Sequence, residues 1–481
     1  MSDNTNFSHF LFRENRSLLI FSSITLILIF ILIKRLYPNA IIAPDSNQLI
    51  RTAINNVELT AWPIGYPKFI QLVHFLVPKD WAIVFLQYIL LQAAILHLFF
   101  TTNFFFRPRI WVSRLILFFL LFNPFILCIS NYILADGLFA TITAIWFTLT
   151  IWYFYQPRPV YAFLLIVTLL LAFSVRYYAL FYPLITVPVI IFSKARLWVK
   201  IGSILFGFSL FFAFVLYTEN LYKRLIGQRE FSPFSGWQLA SNALIMYRHI
   251  PDPEQDISPP ALRPLHQFVI HALHKFPSPD LVHDRDLFVF FPWKAGSPLV
   301  SFSHAFYSID PSTNDLQQWA AMGKLYHDYG MFLIKRHPLA YIRFYIGQGV
   351  DWFIDPKKEL VNEYPKGGYW VTNRTRKWFG YKSNWVPCTT SNILTIAYFP
   401  IILSILNLLF VFCILGYYFY RGSQMVTDRV VNKTIFFAAA YWLANFLFII
   451  TSAPFVLRYG LSMMIVNLVF IPTILDRITK A

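Results

Sequence analysis

Ten apolar runs constrain this chain more than any other feature. They fall at about 17–36, 81–100, 110–129, 138–155, 160–175, 177–193, 199–217, 393–419, 434–451 and 459–475. Several reach the roughly 17–25 residues that cross a bilayer as a helix. Composition agrees: 57% of residues are hydrophobic and 13% charged, against about 25% charged in soluble domains. The predicted fold is an all-α polytopic membrane protein of about ten transmembrane helices with a mixed insertion domain outside the bilayer. The runs at 160–175 and 177–193 are both short, and Arg176 sits between them.

The net charge of +17 is read as positive-inside bias plus an affinity for anionic lipids or phosphates, not as nucleic-acid binding. Of the three cysteines Cys128, Cys388 and Cys413, two lie in apolar runs, so neither a disulfide framework nor a zinc site is expected. Arg13 and Arg16 precede the first run and no A-x-A-like site follows. That run is read as an uncleaved first helix.

Lys and Arg in the short loops orient the chain. Fourteen fall in one set of loops and seven in the other, which places both termini in the cytoplasm. Residues 1–217 form an N-terminal transmembrane module with an external first loop at 37–80. Residues 218–392 form an external, periplasmic domain, and 393–481 carry the C-terminal transmembrane helices. Within the external segment, 314–336 has helical spacing of apolar residues. Stretch 339–354 is apolar but holds Arg343 and Asp351, so an amphipathic helix on the membrane surface is expected there.

Acids are scarce around the apolar runs. Outside 218–390 there are eight: Asp3, Glu14, Asp45, Glu58, Asp80, Asp136, Asp428 and Asp476. The predicted topology puts Asp45, Glu58, Asp80 and Asp136 on the external side. Four charged residues stand at external ends of spans: Asp45, Asp136, Arg176 and Arg458. A charge at a membrane boundary carries a desolvation cost unless paired or wetted. Any one of them could simply pair or snorkel, but all four on one face point to a shared site. Arginines would hold a phosphate and stabilise the charge it develops on leaving. A carboxylate would take the proton of an attacking hydroxyl.

The ordered set resembles a known superfamily. An external Asp after the first span is followed by a WPxGYP-like stretch, Trp62-Pro63-Ile64-Gly65-Tyr66-Pro67. Asp136, Arg176, the HPLAYIRFY stretch His337–Tyr345 and the pair Arg458-Tyr459 continue it. This looks like the C-type glycosyltransferases (GT-C), in the branch similar to protein mannosyltransferases and aminoarabinose transferases. The likeness spans about 37–190 well and 330–475 loosely. It implies a GT-C-like fold and a multi-pass protein of the plasma membrane (the bacterial inner membrane) with an external active site. It implies Asp45 as general base, with Asp136 as a second catalytic acid, and Arg176, Arg458 and Tyr459 at the donor phosphate. Glu58, Tyr66 and Lys68 are the candidates on the acceptor side. The reaction implied is inverting transfer of a sugar from a polyprenyl-phosphate donor to a glycan, lipid or protein acceptor. Ser46 stands where many members carry a Glu after the acid, and Gln48-Leu49 where many carry a Tyr.

The remaining signals are weaker. His266, His271, His274, His283 and His304 admit a metal cluster, but no Asp or Cys pattern frames them. The expectation is therefore no metal and no cofactor, with a divalent cation as the one exception left open. Asn373-Arg374-Thr375 fits a glycosylation sequon. Gln87, Gln92 and His97 are read as hydrogen bonds between helices. There is no phosphate-cradling glycine loop, nucleotide fingerprint or GxSxG elbow, which agrees with a lipid-linked donor. Two other classes compete. A flippase for a lipid-linked saccharide would carry charges along a central path. A membrane-anchored assembly protein would explain 218–392 but not the Asp45 and Arg set.

Overall fold

The structure is a computed structural model, described here for residues 6–250, 259–275, 296–307, 315–356, 368–388, 398–421 and 429–480. It is almost wholly helical. Among the described residues eight helices are long and apolar enough to cross a membrane: Arg16–Leu36, Asp80–Phe106, Ile110–Ser130, Ala135–Tyr155, Leu197–Ile226, Phe399–Tyr420, Arg429–Ser452 and Leu457–Lys480. An all-α, multi-pass membrane protein accounts for this.

The expected spans at 160–175 and 177–193 form helices that fall short of this length. Helix Pro159–Val175 has 17 residues, about 26 Å at 1.5 Å per residue. Arg176 ends it. A 3-10 turn, Tyr177–Phe181, leads into Tyr182–Ile191, which has Pro188 inside it. The span at 110–129 is broken. Asn123 caps a new helix at Pro124, its Oδ1 accepting from the N–H groups of Phe125 and Ile126 at 3.0 and 3.2 Å.

Two helices form the centre. Of the apolar window in Ala135–Tyr155, 83% is buried, and in Leu457–Lys480, 72%. For Leu197–Ile226 the figure is 6%, so its apolar surface faces outward, as a lipid-facing edge helix requires. That helix runs to Ile226, past the boundary expected at 217. The boundary expected at 392 lies outside the described residues, as do the turn clusters at 251–258 and 276–280.

The polar segment has its own core. Trp237, Leu244, Leu265, Phe302, Tyr326 and Leu333 are among its buried members. Helices Pro233–Tyr247 and Gly323–Arg336 approach closely along glycines. A Cβ at Gly236 would lie 1.9 Å from the Gly323 carbonyl oxygen, and one at Gly330 2.8 Å from the Ala240 nitrogen. The helical spacing of 314–336 is therefore realised, with a break at Met322. Residues 338–354 are helical throughout, with a π turn at Ile342–Ile346. Tyr345, Trp352 and Phe353 face inward, while Leu339, Ile342 and Ile354 are exposed. A two-stranded antiparallel sheet pairs Gly368–Trp370 with Trp385–Pro387.

The charged residues at the two ends of the bundle are distinct sets. At one end Asp476 pairs with Arg109 and Lys480, at 3.5 and 2.7 Å. The other end holds Asp45, Asp136, Arg176 and Arg458.

Candidate functional site

Asp45 and Asp136 reach the same place by the same local device. Each is the second residue of its helix, Pro44–Asn55 and Ala135–Tyr155. There the helix dipole favours a carboxylate. Just upstream, Ile41 and Tyr132 form an isolated parallel bridge. The Ile41 N–H donates to the Asn131 carbonyl at 2.9 Å, and the Ile133 N–H to the Ile41 carbonyl at 3.0 Å. Neighbouring Ala40 is also tied on both sides. Its N–H donates to Asp80 Oδ2 at 2.7 Å, and its carbonyl accepts from the Tyr369 hydroxyl. Asp80 thus fixes the loop that delivers Asp45 and takes no part in the cavity lining.

Arg458 joins the two acids. Its Nη2 donates to Asp45 Oδ2 at 2.8 Å and its Nη1 to Asp136 Oδ2 at 3.3 Å. Arg176 Nη1 lies 3.1 Å from Asp136 Oδ1. That contact is an ion pair without the alignment of a hydrogen bond. The guanidiniums of Arg176 and Arg458 lie 4.5 and 4.9 Å from the centre of the Tyr459 ring, within cation–π range. The structure therefore brings together five of the predicted site residues: Asp45, Asp136, Arg176, Arg458 and Tyr459.

The two carboxylates differ in access. The Asp136 side chain is 1% exposed and faces an arginine through each oxygen, whereas the Asp45 side chain is 34% exposed. Asp45 opens onto a cavity of about 1160 Å³, with Arg176, Arg458 and Tyr459 in the same wall. The cavity lining includes the apolar residues Trp62, Phe173, Leu180, Phe448 and Phe455. Its lining also includes the polar residues Glu219, Arg229, Glu230, Lys324, His327 and Asp328. Burial pushes the Glu230 carboxyl up to about 7, with Lys324 pulling it down and Asp328 adding to the rise.

The WPIGYP stretch is explained by packing. Trp62 and Pro63 line the cavity. A Cβ at Gly65 would lie 2.6 Å from the Ser174 carbonyl oxygen, so only glycine lets the Gly65–Leu76 helix touch the chain beside Arg176. Tyr66 is fully buried and its hydroxyl donates to Gln87 Oε1 at 3.0 Å. Gln87 in turn donates to the carbonyls of Ser130 and Tyr132 at 2.6 and 2.7 Å. Burial, and then the Asp136 charge, hold the Tyr66 phenol well above its usual range.

The three candidates expected on the acceptor side are not brought to the cavity wall. Glu58 is exposed, and Lys68 is exposed and bound to Asn56 Oδ1 at 2.7 Å. Tyr66 is a core residue. The polar lining comes instead from the segment around 219–242 and from helix Gly323–Arg336, where the sequence reading singled out no residue. Charged residues are ordinary in a polar segment, so these had no contrast to mark them.

The described histidines do not gather. His266 is buried and its Nδ1 lies 3.0 Å from the Tyr329 hydroxyl; burial holds it down at about 4. Among the described residues no group of three or more His, Cys, Asp or Glu is placed to hold a metal ion. His283 and the His274 side chain lie outside the description. Compared with known proteins, the chain matches no family model, no curated sequence and no solved structure.

Proposed function

We propose that the chain is an integral-membrane glycosyltransferase that moves a sugar from a polyprenyl-phosphate donor to a hydroxyl acceptor outside the membrane. One observation carries the reading. An accessible carboxylate and a sealed one share Arg458 beside a cavity lined by both apolar and charged residues. The resemblance to GT-C enzymes agrees with it, and the proposal places the chain in the bacterial inner membrane with cytoplasmic termini.

The chemistry follows from the geometry. The donor's lipid lies along the apolar lining, near Phe448 and Leu180. Its phosphate faces Arg176, whose side chain is 17% exposed, in preference to Arg458 at 5%. The acceptor enters against Glu230, Lys324 and His327. Its hydroxyl oxygen forms a bond to the anomeric carbon as the bond from that carbon to the phosphate oxygen breaks. Asp45 takes the hydroxyl proton. The phosphate leaves with the electron pair as an anion and needs no proton, so the sugar inverts in a single displacement. Asp136 is the counter-charge that holds both guanidiniums in place. A transport path through the bundle is disfavoured, because the described ion pairs of the bundle gather at its ends.

The test is turnover by purified protein in lipid nanodiscs. A polyprenyl-phosphate with a radiolabelled sugar is supplied together with a panel of lipid, glycan and peptide acceptors. Release of polyprenyl phosphate with transfer of label, lost in Asp45→Asn, is expected. Binding of the donor without any transfer, or its movement between leaflets, would refute the enzyme reading.

A further inference from the structure

A second cavity, of about 610 Å³, opens at the other end of the bundle. Its cause is a short helix. Tyr182–Ile191 has ten residues, about 15 Å. Pro188 within it has no N–H to give the Leu184 carbonyl, and the helix stops at Phe192. Its neighbours Ala135–Tyr155 and Arg429–Ser452 have 21 and 24 residues and continue, so a gap is left beside them.

The gap is chemically two-part. Leu184, Pro188, Phe192, Phe436 and Ala440 give it an apolar wall. Leu184, Phe192 and Phe436 are 75%, 78% and 67% exposed, so this wall is open to the surrounding lipid. At its polar end stands Lys433, whose ammonium is 5.8 Å from the centre of the Phe154 ring. Arg429 stands one turn before Lys433 on the helix Arg429–Ser452, where residues four apart share a face, and Lys194 follows the end of Tyr182–Ile191. Among the described residues none of these three cations has a carboxylate partner. Positive-inside bias explains cations at this end of the bundle. It does not explain why the polar end of an apolar hole between helices carries Lys433, with Arg429 one turn away on the same helix and no acid among the described lining residues. Like charges so placed repel unless an anion sits among them.

We infer that this cavity is a binding site for one anionic phospholipid of the bilayer. An acyl chain lies along Leu184, Pro188 and Phe436, and the phosphate sits between Lys433, Lys194 and Arg429. The volume falls in the range of about 300–1,000 Å³ typical of small-molecule sites. The site is separate from the Asp45 cavity and does not depend on the proposed transfer reaction.

The experiment is native mass spectrometry of the purified protein released from mixed phosphatidylglycerol and phosphatidylcholine micelles, with thermal melting in each lipid. The wild type is expected to retain one phosphatidylglycerol where phosphatidylcholine is stripped, and to melt higher in its presence. Each cation removed, in Lys433→Gln and Arg429→Gln, should weaken retention about fivefold, at about 1 kcal/mol per basic residue. Ala440→Trp fills the apolar wall without changing charge and should also lose the lipid. Equal retention of the two lipids by the wild type overturns the proposal, and this comparison needs no variant. Unchanged retention in all three folded variants also overturns it. So does displacement by millimolar inorganic phosphate, which would mark a simple anion site.

Discussion

Asp45 and Asp136 are equivalent in backbone position and opposite in access. Both are second in their helices, and both follow the strand-like bridge between Ile41 and Tyr132. Yet one side chain is 34% exposed and the other 1%. Arg458 binds both, so the accessible carboxylate and the sealed one are held by a single side chain.

Replacing each acid should therefore fail differently. Asp45→Asn keeps the size and should fold and bind donor while losing turnover by about 10²–10⁴-fold, the usual contribution of a positioned base. Asp136→Asn leaves Arg176 and Arg458 without their shared counter-charge. Breaking a buried pair in this way costs about 3–5 kcal/mol, so it should appear first as a lowered melting temperature. Residual turnover above about a tenth in Asp45→Asn would move the base elsewhere.

The two arginines should also separate. Arg176→Ala is expected to weaken donor binding by about 1.5–3 kcal/mol, the range for a hydrogen bond to a charged group, with a smaller effect on folding than Arg458→Ala. Arg176→Lys should restore little if its planar fork is what the phosphate meets. Titration of donor into each variant measures this. Equal affinity in wild type and Arg176→Ala would place the phosphate at Arg229 or Lys324.

Glu58→Ala and Lys68→Ala should leave turnover at the wild-type level, since neither side chain lines the cavity. Tyr66→Phe should cost stability of about 0.5–1.5 kcal/mol, one buried hydrogen bond to Gln87, again with turnover kept. Loss of transfer in folded Glu58→Ala would show that the first loop rearranges when substrate binds.

Glu230 gives a pH dependence with a definite sign. Its folded value is raised to about 7 from 4.5, so in between the folded state binds more protons than the unfolded one. The stability this contributes is present below the lower value and is lost as pH rises through the upper one. The melting temperature should therefore fall in part across about pH 4.5–7, and Glu230→Gln should remove that part of the slope. Parallel melting curves of wild type and variant across this range would rule the assignment out.

Topology can be read at Ser235, an exposed residue of the cavity lining. A Ser235→Cys variant should react with an impermeant thiol reagent in intact cells. Labelling only after lysis would reverse the orientation.

The sequence made the charged half of the site legible for a physical reason. Asp45, Asp136, Arg176 and Arg458 interrupt apolar runs, and a charge there must have a partner or a purpose. The helices were legible in the same way, from the length of their apolar runs. The remainder left no such trace. The Ile41–Tyr132 bridge is made of backbone groups, which carry no residue code. Glu230, Lys324 and Asp328 lie in a polar segment where charge is unremarked. Tyr66 was found through its motif, but the sequence could not tell that its hydroxyl is spent on Gln87. Glu58 and Lys68 were assigned by loop order alone, which does not say where a side chain ends.

The joining of Arg458 to Asp45 and Asp136 has a consequence for biosynthesis. Arg458 is synthesised 322 residues after Asp136 and 413 after Asp45. At about 5–20 residues per second, the nascent chain spends on the order of tens of seconds with Asp136 facing Arg176 alone and Asp45 without its arginine. The quartet therefore closes late in translation and only if the segment bearing Arg458 inserts correctly. A chain whose Arg458 segment fails to insert leaves Asp45 without the arginine that compensates it in the finished protein.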